Sequence, residues 1–239
     1  MVSTKRTRTL ASVHACQISG ALMLIPLALA APGHAQLGQE NHTRVLSKVS
    51  EVRALTASQA KQLYPIHLKG VITYRSPEYL VTFFQDQTAG IFLWIQQGDA
   101  GVSAGDLVEV DGNTTPGDFA PSIEHARIQV VGRASLPSPV PKSIEDLMTG
   151  KEDSQWVQVD GIVRSVAIED RLPPDMRRGP PQLVISIASG SHKFKARVMN
   201  FRPDVDYSHL VDSVVTVRGA CGTLFNERRQ PGGRSTLCS

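Results

Sequence analysis

The stretch Trp156-Val-Gln-Val-Asp-Gly-Ile-Val-Arg-Ser-Val166 decides how the chain is read, because Ile66-His-Leu-Lys-Gly-Val-Ile-Thr-Tyr74 carries the same alternation and the same internal glycine. Gly161 stands where Gly70 stood. Apolar residues at every second position mark strands with one buried face. A glycine inside a long strand marks a sharp bend, where one strand serves both sides of a closing sheet. The match continues downstream, where Asp212-Ser-Val-Val-Thr-Val-Arg-Gly219 answers Asp106-Leu-Val-Glu-Val-Asp-Gly112. Two copies of one supersecondary unit are therefore expected.

Working outward from the first copy, Tyr79 to Phe84, Gly90 to Ile95 and His125 to Val131 also alternate and are bounded by Pro, Gly, Asn and Asp. In the second copy Gln182 to Ile187 and Lys193 to Val198 fill the same places, followed by a helical turn near Asp204 to Leu210. The fold class predicted is mainly β: two tandem OB-fold-like five-stranded barrels with short helices. SH3-like barrels are the competing small-barrel reading. Val45, Val49, Val52 and Leu55 are spaced for a helix ahead of the first barrel, and Ser143-Ile-Glu-Asp146 resembles a capping box. The domain plan is a signal peptide at 1–35, a helical segment at 36–64, barrels at 65–134 and 151–239, and a Pro-rich linker with a short helix at 135–150.

The N-terminus reads as an address. Lys5, Arg6 and Arg8 precede an apolar run from Ile18 to Ala31, which leads into Pro32-Gly33-His34-Ala35. The run is shorter than a membrane span and holds Pro26, so cleavage after Ala35 and a periplasmic or secreted product are expected. Removing those three cations leaves 22 basic and 22 acidic residues, so overall charge points to no nucleic-acid or membrane partner. In an oxidising compartment Cys221 and Cys238 could pair, and free or mixed thiols are the expectation.

Four strings carry a family resemblance: Gly105 to Gly112, Pro116-Gly-Asp-Phe-Ala-Pro121, Asp153-Ser-Gln-Trp-Val-Gln-Val-Asp-Gly-Ile-Val-Arg164 and Gly219 to Asn226. Together they resemble the tandem OB-like repeats in the secreted N-terminal region of large bacterial sensor histidine kinases, over about residues 50 to 230. The resemblance implies a sensory module without catalysis of its own, preceding signalling domains that this chain does not contain. It also implies an alternating final strand where this chain reads Pro231-Gly-Gly-Arg-Ser-Thr-Leu-Cys-Ser239. The second barrel is therefore expected to be incomplete at its C-terminus through a change of reading frame, and to be the weak half. The first barrel is expected to fold alone.

Signatures of hydrolases, transferases and phosphate loops are absent, and the histidines show no metal-ligand spacing, so no catalytic residue, metal or cofactor is expected. Binding has more support. Residues 36–150 hold 9 cations and 12 acids, whereas 151–239 hold 13 and 10. Lys193, Lys195 and Arg197 share one face of a predicted third strand, and Arg177 and Arg178 fall in the loop between the first two strands, with Arg171 beside them. These are customary OB-fold binding surfaces. A solvated outer face is the plainer reading, and nucleic acid is disfavoured because the one interleaved aromatic, Phe194, has the parity of the core and not of the cation face. Asp118 and Phe119 sit in the loop joining strands four and five of the first barrel, where Phe119 either presents to a ligand or closes the barrel end. The expected partner is a small ligand, a glycan or a protein. An independent secreted protein that binds single-stranded nucleic acid or an anionic glycan is the alternative.

Overall fold

The computed structural model describes residues 44–78, 80–95, 101–117, 119–172, 177–225 and 231–238, with the backbone alone at 171, 172, 177–179, 224, 225 and 231–238. The expected signal peptide lies outside the described residues. Among them, no helix is long and apolar enough to cross a membrane.

The chain enters extended at Leu46, which bridges Ile66 in parallel, so the helix expected from Val45 begins only at α1 (Val49–Arg53). A second short helix, α2 (Ala57–Ala60), is capped by the Thr56 hydroxyl, which accepts the Gln59 N–H at 3.2 Å. Barrel one then follows as β1 (Pro65–Ser76), β2 (Val81–Gln85), β3 (Gly90–Ile95), β4 (Asp106–Thr115) and β5 (Ser122–Arg133), closed in the order β1-β2-β3-β5-β4. Alternation fills it with Leu68, Ile72, Phe84, Ile91, Leu93, Val108 and Val110, and α1 adds Val49 and Val52.

The second copy repeats each step. A short β6 (Val140–Pro141) pairs in parallel with the start of the next long strand, as Leu46 does. Helix α3 (Ile144–Met148) starts where the sequence predicts, with the Ser143 hydroxyl accepting the Asp146 N–H at 3.1 Å. The strands are β7 (Trp156–Leu172), β8 (Arg177–Ser189), β9 (His192–Val198), β10 (Val214–Phe225) and β11 (Pro231–Cys238), and a 3-10 turn at Ser208–Leu210 precedes β10. The long first strands change partner next to their glycines, β1 from β4 to β2 at Val71 and β7 from β10 to β8 at Ile162. Both then slip register, between Ile72 and Tyr74 and between Val163 and Ser165. In each copy the third and fifth strands run parallel. The arrangement is that of two OB-fold-like units.

One expectation is overturned. Barrel two has its fifth strand: β11 pairs antiparallel with β10 from Ala220↔Cys238 to Phe225↔Pro231, and parallel with β9 from Thr236↔Lys195 to Cys238↔Arg197. The segment does not alternate, yet a ladder is made by backbone groups, and the edges of β9 and β10 supply partners for any chain that can extend between them. Pro231 stands at the first position of the strand, where a missing N–H is tolerated. Cys221 is opposite Leu237 and Cys238 is opposite Ala220, and the side chain of Cys238 lies outside the described residues.

The two barrels meet through the segment Asp153 to Trp156, and the described residues of both fall in one compact unit. The Gln155 side chain copies a neighbouring strand: its Nε2 donates to the Gly90 carbonyl and its Oε1 accepts the Gly90 N–H, both at 3.0 Å. The Trp156 N–H donates to Gln85 Oε1 at 2.8 Å. Arg53 reaches across from α1 and donates to the carbonyls of Gly90 (3.1 Å), Asp153 (3.0 Å) and Lys151 (2.8 Å). A Cβ at Gly90 would collide with the Ser154 carbonyl oxygen, so only glycine admits this approach. Ser154 itself adopts a left-handed φ of 66°, and its N–H donates to the Cys221 carbonyl at 2.6 Å. Above these bonds Trp156 and Ala220 of barrel two bury Tyr74 and Phe83 of barrel one. Covering side chains of this size is worth about 1.5–3 kcal/mol each, so barrel one is not expected to keep its stability alone.

Asp153 sits at the centre of this joint. Its carboxylate accepts the Thr223 N–H at 2.8 Å and the Ser154 hydroxyl at 3.0 Å. Burial pushes the carboxyl above the ordinary aspartate value, against those two hydrogen bonds and the nearby Arg53 charge. Burial also lowers the Arg53 pKa, opposed by Asp153 and Glu152.

Three outcomes follow from this geometry. Deleting residues 231–239 should lower the melting temperature of barrel two and increase light scattering, because two strand edges lose their partner. Gly90→Ala should cost about 1–3 kcal/mol in denaturant unfolding and shift the Trp156 emission to the red as the joint opens. For Asp153 the folded state holds the proton more tightly than the unfolded one, so its contribution to stability falls as pH rises from the ordinary aspartate value of 3.8 through the raised one, and is flat above it. Asp153→Asn should remove that slope from melting curves, whereas Asp153→Ala should lose about 1–3 kcal/mol by stranding the Thr223 N–H.

Candidate functional site

The matching registers allow the outer faces of the two barrels to be compared position by position. In barrel one the row Tyr74↔Phe83↔Phe92 crosses β1, β2 and β3. Its counterpart in barrel two is Ser165↔Ser186↔Lys195 across β7, β8 and β9. One face is aromatic and the other polar. The rings stack in sequence, with Tyr74 to Phe83 at 6.1 Å, Phe83 to Phe92 at 6.1 Å and Phe92 to Trp94 at 4.9 Å, the last two edge to face. Trp156, Ala220 and Met199 of barrel two cover the centre of that row, while Trp94 remains 46% exposed at its edge.

On barrel two the face is exposed at Lys193 and Lys195 and buried around Gln182, Val184 and Arg197, so the three expected cations differ from one another. Lys193 and Lys195 are exposed, but Arg197 is only 6% exposed. Glu169 of β7 explains the difference. Its Oε1 receives Lys195 Nζ at 3.1 Å and its Oε2 receives Arg197 Nη2 at 3.3 Å, and Arg197 Nη1 also donates to the buried Gln182 at 3.0 Å. An exposed pair such as Lys195–Glu169 contributes about 0–1 kcal/mol. The buried guanidinium needs both of its partners, because an unpaired buried charge is costly. The face thus carries a preset network of one carboxylate, one amide and two cations beside Lys193, in place of three solvated cations.

The remaining candidates lie elsewhere. Arg177 and Arg178, expected in a loop with Arg171, belong to the ladder, where Arg178 pairs with Arg171 and Arg177 with Leu172. The β7–β8 pairing runs on past the register slip after Glu169, which shortens the loop; their side chains lie outside the described residues. Phe119 is 45% exposed in the β4–β5 loop, and Asp118 lies outside the described residues. Among the described residues no three His, Cys, Asp or Glu side chains gather as a metal site. Histidines found in pairs serve local geometry: His67 meets Asp111 at 2.8 Å and His192 meets Glu145 at 3.1 Å, all four at the surface.

Sequence reasoning passed over Glu169, Gln182, Gln155 and Trp94. Strand parity alone signals Trp94, since Ile91 and Leu93 point inward and Phe92 and Trp94 must then point outward. No local signal marks the other three, whose partners are distant in the chain.

No protein-family model matches the chain, and no curated protein matches its sequence. Among solved structures it is similar to the hypothetical protein ygiW from E. coli, with 20% identity and a TM-score of 0.28 over 36% of this chain and 90% of that one. It is also similar to a replication protein A heterotrimer bound to ssDNA, with 11% identity and a TM-score of 0.36 over 79% of this chain and 49% of that one. A third likeness is to the Ifi202 HINa domain in complex with 20bp dsDNA, with 9% identity and a TM-score of 0.35 over 73% of this chain and 91% of that one.

Proposed function

We propose that this protein is an extracytoplasmic, non-enzymatic binding module in which barrel two carries the ligand surface and barrel one supports it. The observation that carries the reading is the unequal fate of two equivalent faces. The centre of barrel one's outer face is covered at the joint, whereas barrel two keeps Lys193 and Lys195 exposed on β9, with Glu169 linking Lys195 to the buried Arg197–Gln182 pair beneath. The ligand class is an anionic polymer, a glycan or a single nucleic-acid strand, consistent with the excess of cations in residues 151–239. Arg177 and Arg178 would extend this surface along β8, and the Asp118–Phe119 loop would act at the open end of barrel one.

A sensory role is the second reading. Asp153-Ser-Gln-Trp-Val157, among the most specific strings of the resemblance to sensor-kinase repeats, is the segment that joins the barrels. A bonded joint can pass strain from a ligand face to a neighbouring domain, which a flexible linker cannot do.

The test is retention on heparin and on immobilised oligo-dT at low salt. Lys193→Ser with Lys195→Ser should weaken binding and, for a single-stranded ligand, make the slope of log affinity against log salt shallower by about 1.4. Glu169→Gln, whose side-chain carbonyl can still accept from Arg197, should strengthen binding by removing the negative charge that neutralises Lys195. Equal retention of wild type and double variant on both matrices contradicts the proposed surface.

A further inference from the structure

Barrel one carries a second feature that neither the joint nor the barrel-two face uses. Strand β5 bulges between Ile123 and Ala126 against both of its neighbours. On β3, Leu93 pairs with Ile123 and Ile95 with Ala126, so Glu124 and His125 together stand opposite the single residue Trp94. On β4, Asn113 pairs with Glu124 and Asp111 with Arg127, which leaves Gly112 opposite His125 and Ala126. Gly112 is what admits the bulge, since a Cβ there would lie 2.9 Å from the Glu124 carbonyl oxygen and 3.1 Å from Ile123. His125 takes a left-handed φ of 53°, an uncommon conformation for a residue other than glycine. Bulges of this kind re-aim side chains and gather beside functional sites.

The side chains so placed have complementary chemistry. Trp94 is 46% exposed, and its ring is held edge to face on Phe92, which is itself backed by Phe83. An isolated surface tryptophan wobbles, but this one is fixed by the row that packs against barrel two. The His125 side chain is 65% exposed and its Nδ1 lies 3.8 Å from Glu124 Oε1, beyond hydrogen-bond distance, so both groups can engage a ligand. A flat indole, a carboxylate and an imidazole along one edge suit a pyranose ring. The C–H face of the sugar packs on the electron-rich indole face, and its hydroxyls donate to the carboxylate and share protons with the imidazole. A nucleobase would also stack, but its phosphates would meet Glu124 in a half of the chain that holds 9 cations and 12 acids.

We infer that Trp94, Glu124 and His125 form a glycan-binding subsite on barrel one, selective for uncharged sugars and separate from the anionic-ligand surface of barrel two. The test uses the full chain and uncharged hexasaccharides: chitohexaose, cellohexaose and maltohexaose. At least one should bind in calorimetric titration and change the emission of Trp94, while Trp156, the other tryptophan, stays 8% exposed in the joint and does not respond. Trp94→Ala should weaken that binding at least tenfold, with an unchanged Trp156 emission reporting that the joint is intact. His125→Asn, which tolerates the left-handed backbone, should weaken it severalfold and keep the fold. Three results overturn the inference: none of the three sugars binds, Trp94→Ala binds as the wild type does, or a dT12 oligonucleotide binds through Trp94 while the sugars do not. Loss of heparin retention in the Lys193 and Lys195 variant leaves sugar binding untouched if the two surfaces are separate.

Discussion

A side-chain amide bonded to one glycine organises this molecule. Gln155 closes two hydrogen bonds on Gly90, and the absence of a Cβ at Gly90 lets the Ser154 backbone come close enough for them to form. Arg53 reinforces the same place by gathering carbonyls from both barrels. Buried carbonyls need donors, and a guanidinium supplies several from one side chain. With these groups in position Trp156 falls over Phe83 and Tyr74, and two barrels of one design become a single body. Each bond is modest in net energy, and their sum depends on the apolar surface they align.

The same joint accounts for the divergence between the copies. A repeat whose outer face is covered can use aromatics there, and Tyr74, Phe83 and Phe92 do so. The equivalent positions of the other copy meet water and read Ser165, Ser186 and Lys195. Aromatic rings at those positions would form an exposed apolar patch with no partner. The edge between the two regimes is where Trp94 stands, fixed by its covered neighbours yet open to solvent. Structure and binding therefore draw on one row of side chains.

Much of the fold was legible because it rests on local signals. Alternation, the paired glycines at 70 and 161 and the capping serine at 143 each act within a few residues. The fifth strand of barrel two was not legible, since Pro231 to Cys238 extends to satisfy the edges of β9 and β10 and not through any pattern of its own. The site was half legible. Parity put Lys193, Lys195 and Arg197 on one face, but the burial of Arg197 depends on Glu169, 28 positions earlier, and on Gln182. The role of Gly90 was equally hidden, because the atom that excludes a side chain there comes from the other barrel, at Ser154. The bulge at His125 needs two neighbouring strands to be in register before it exists.

The central claim is that the joint holds the two barrels in one orientation. Backbone 15N relaxation on residues 36–239 measures it most directly, by giving a rotational correlation time for each barrel separately. The account predicts the same correlation time for the amides of β1–β5 and β7–β11, that of a single particle of about 200 residues. Distinct, shorter times for the two sets would show two barrels tumbling on a tether, and would contradict the joint as the organising feature.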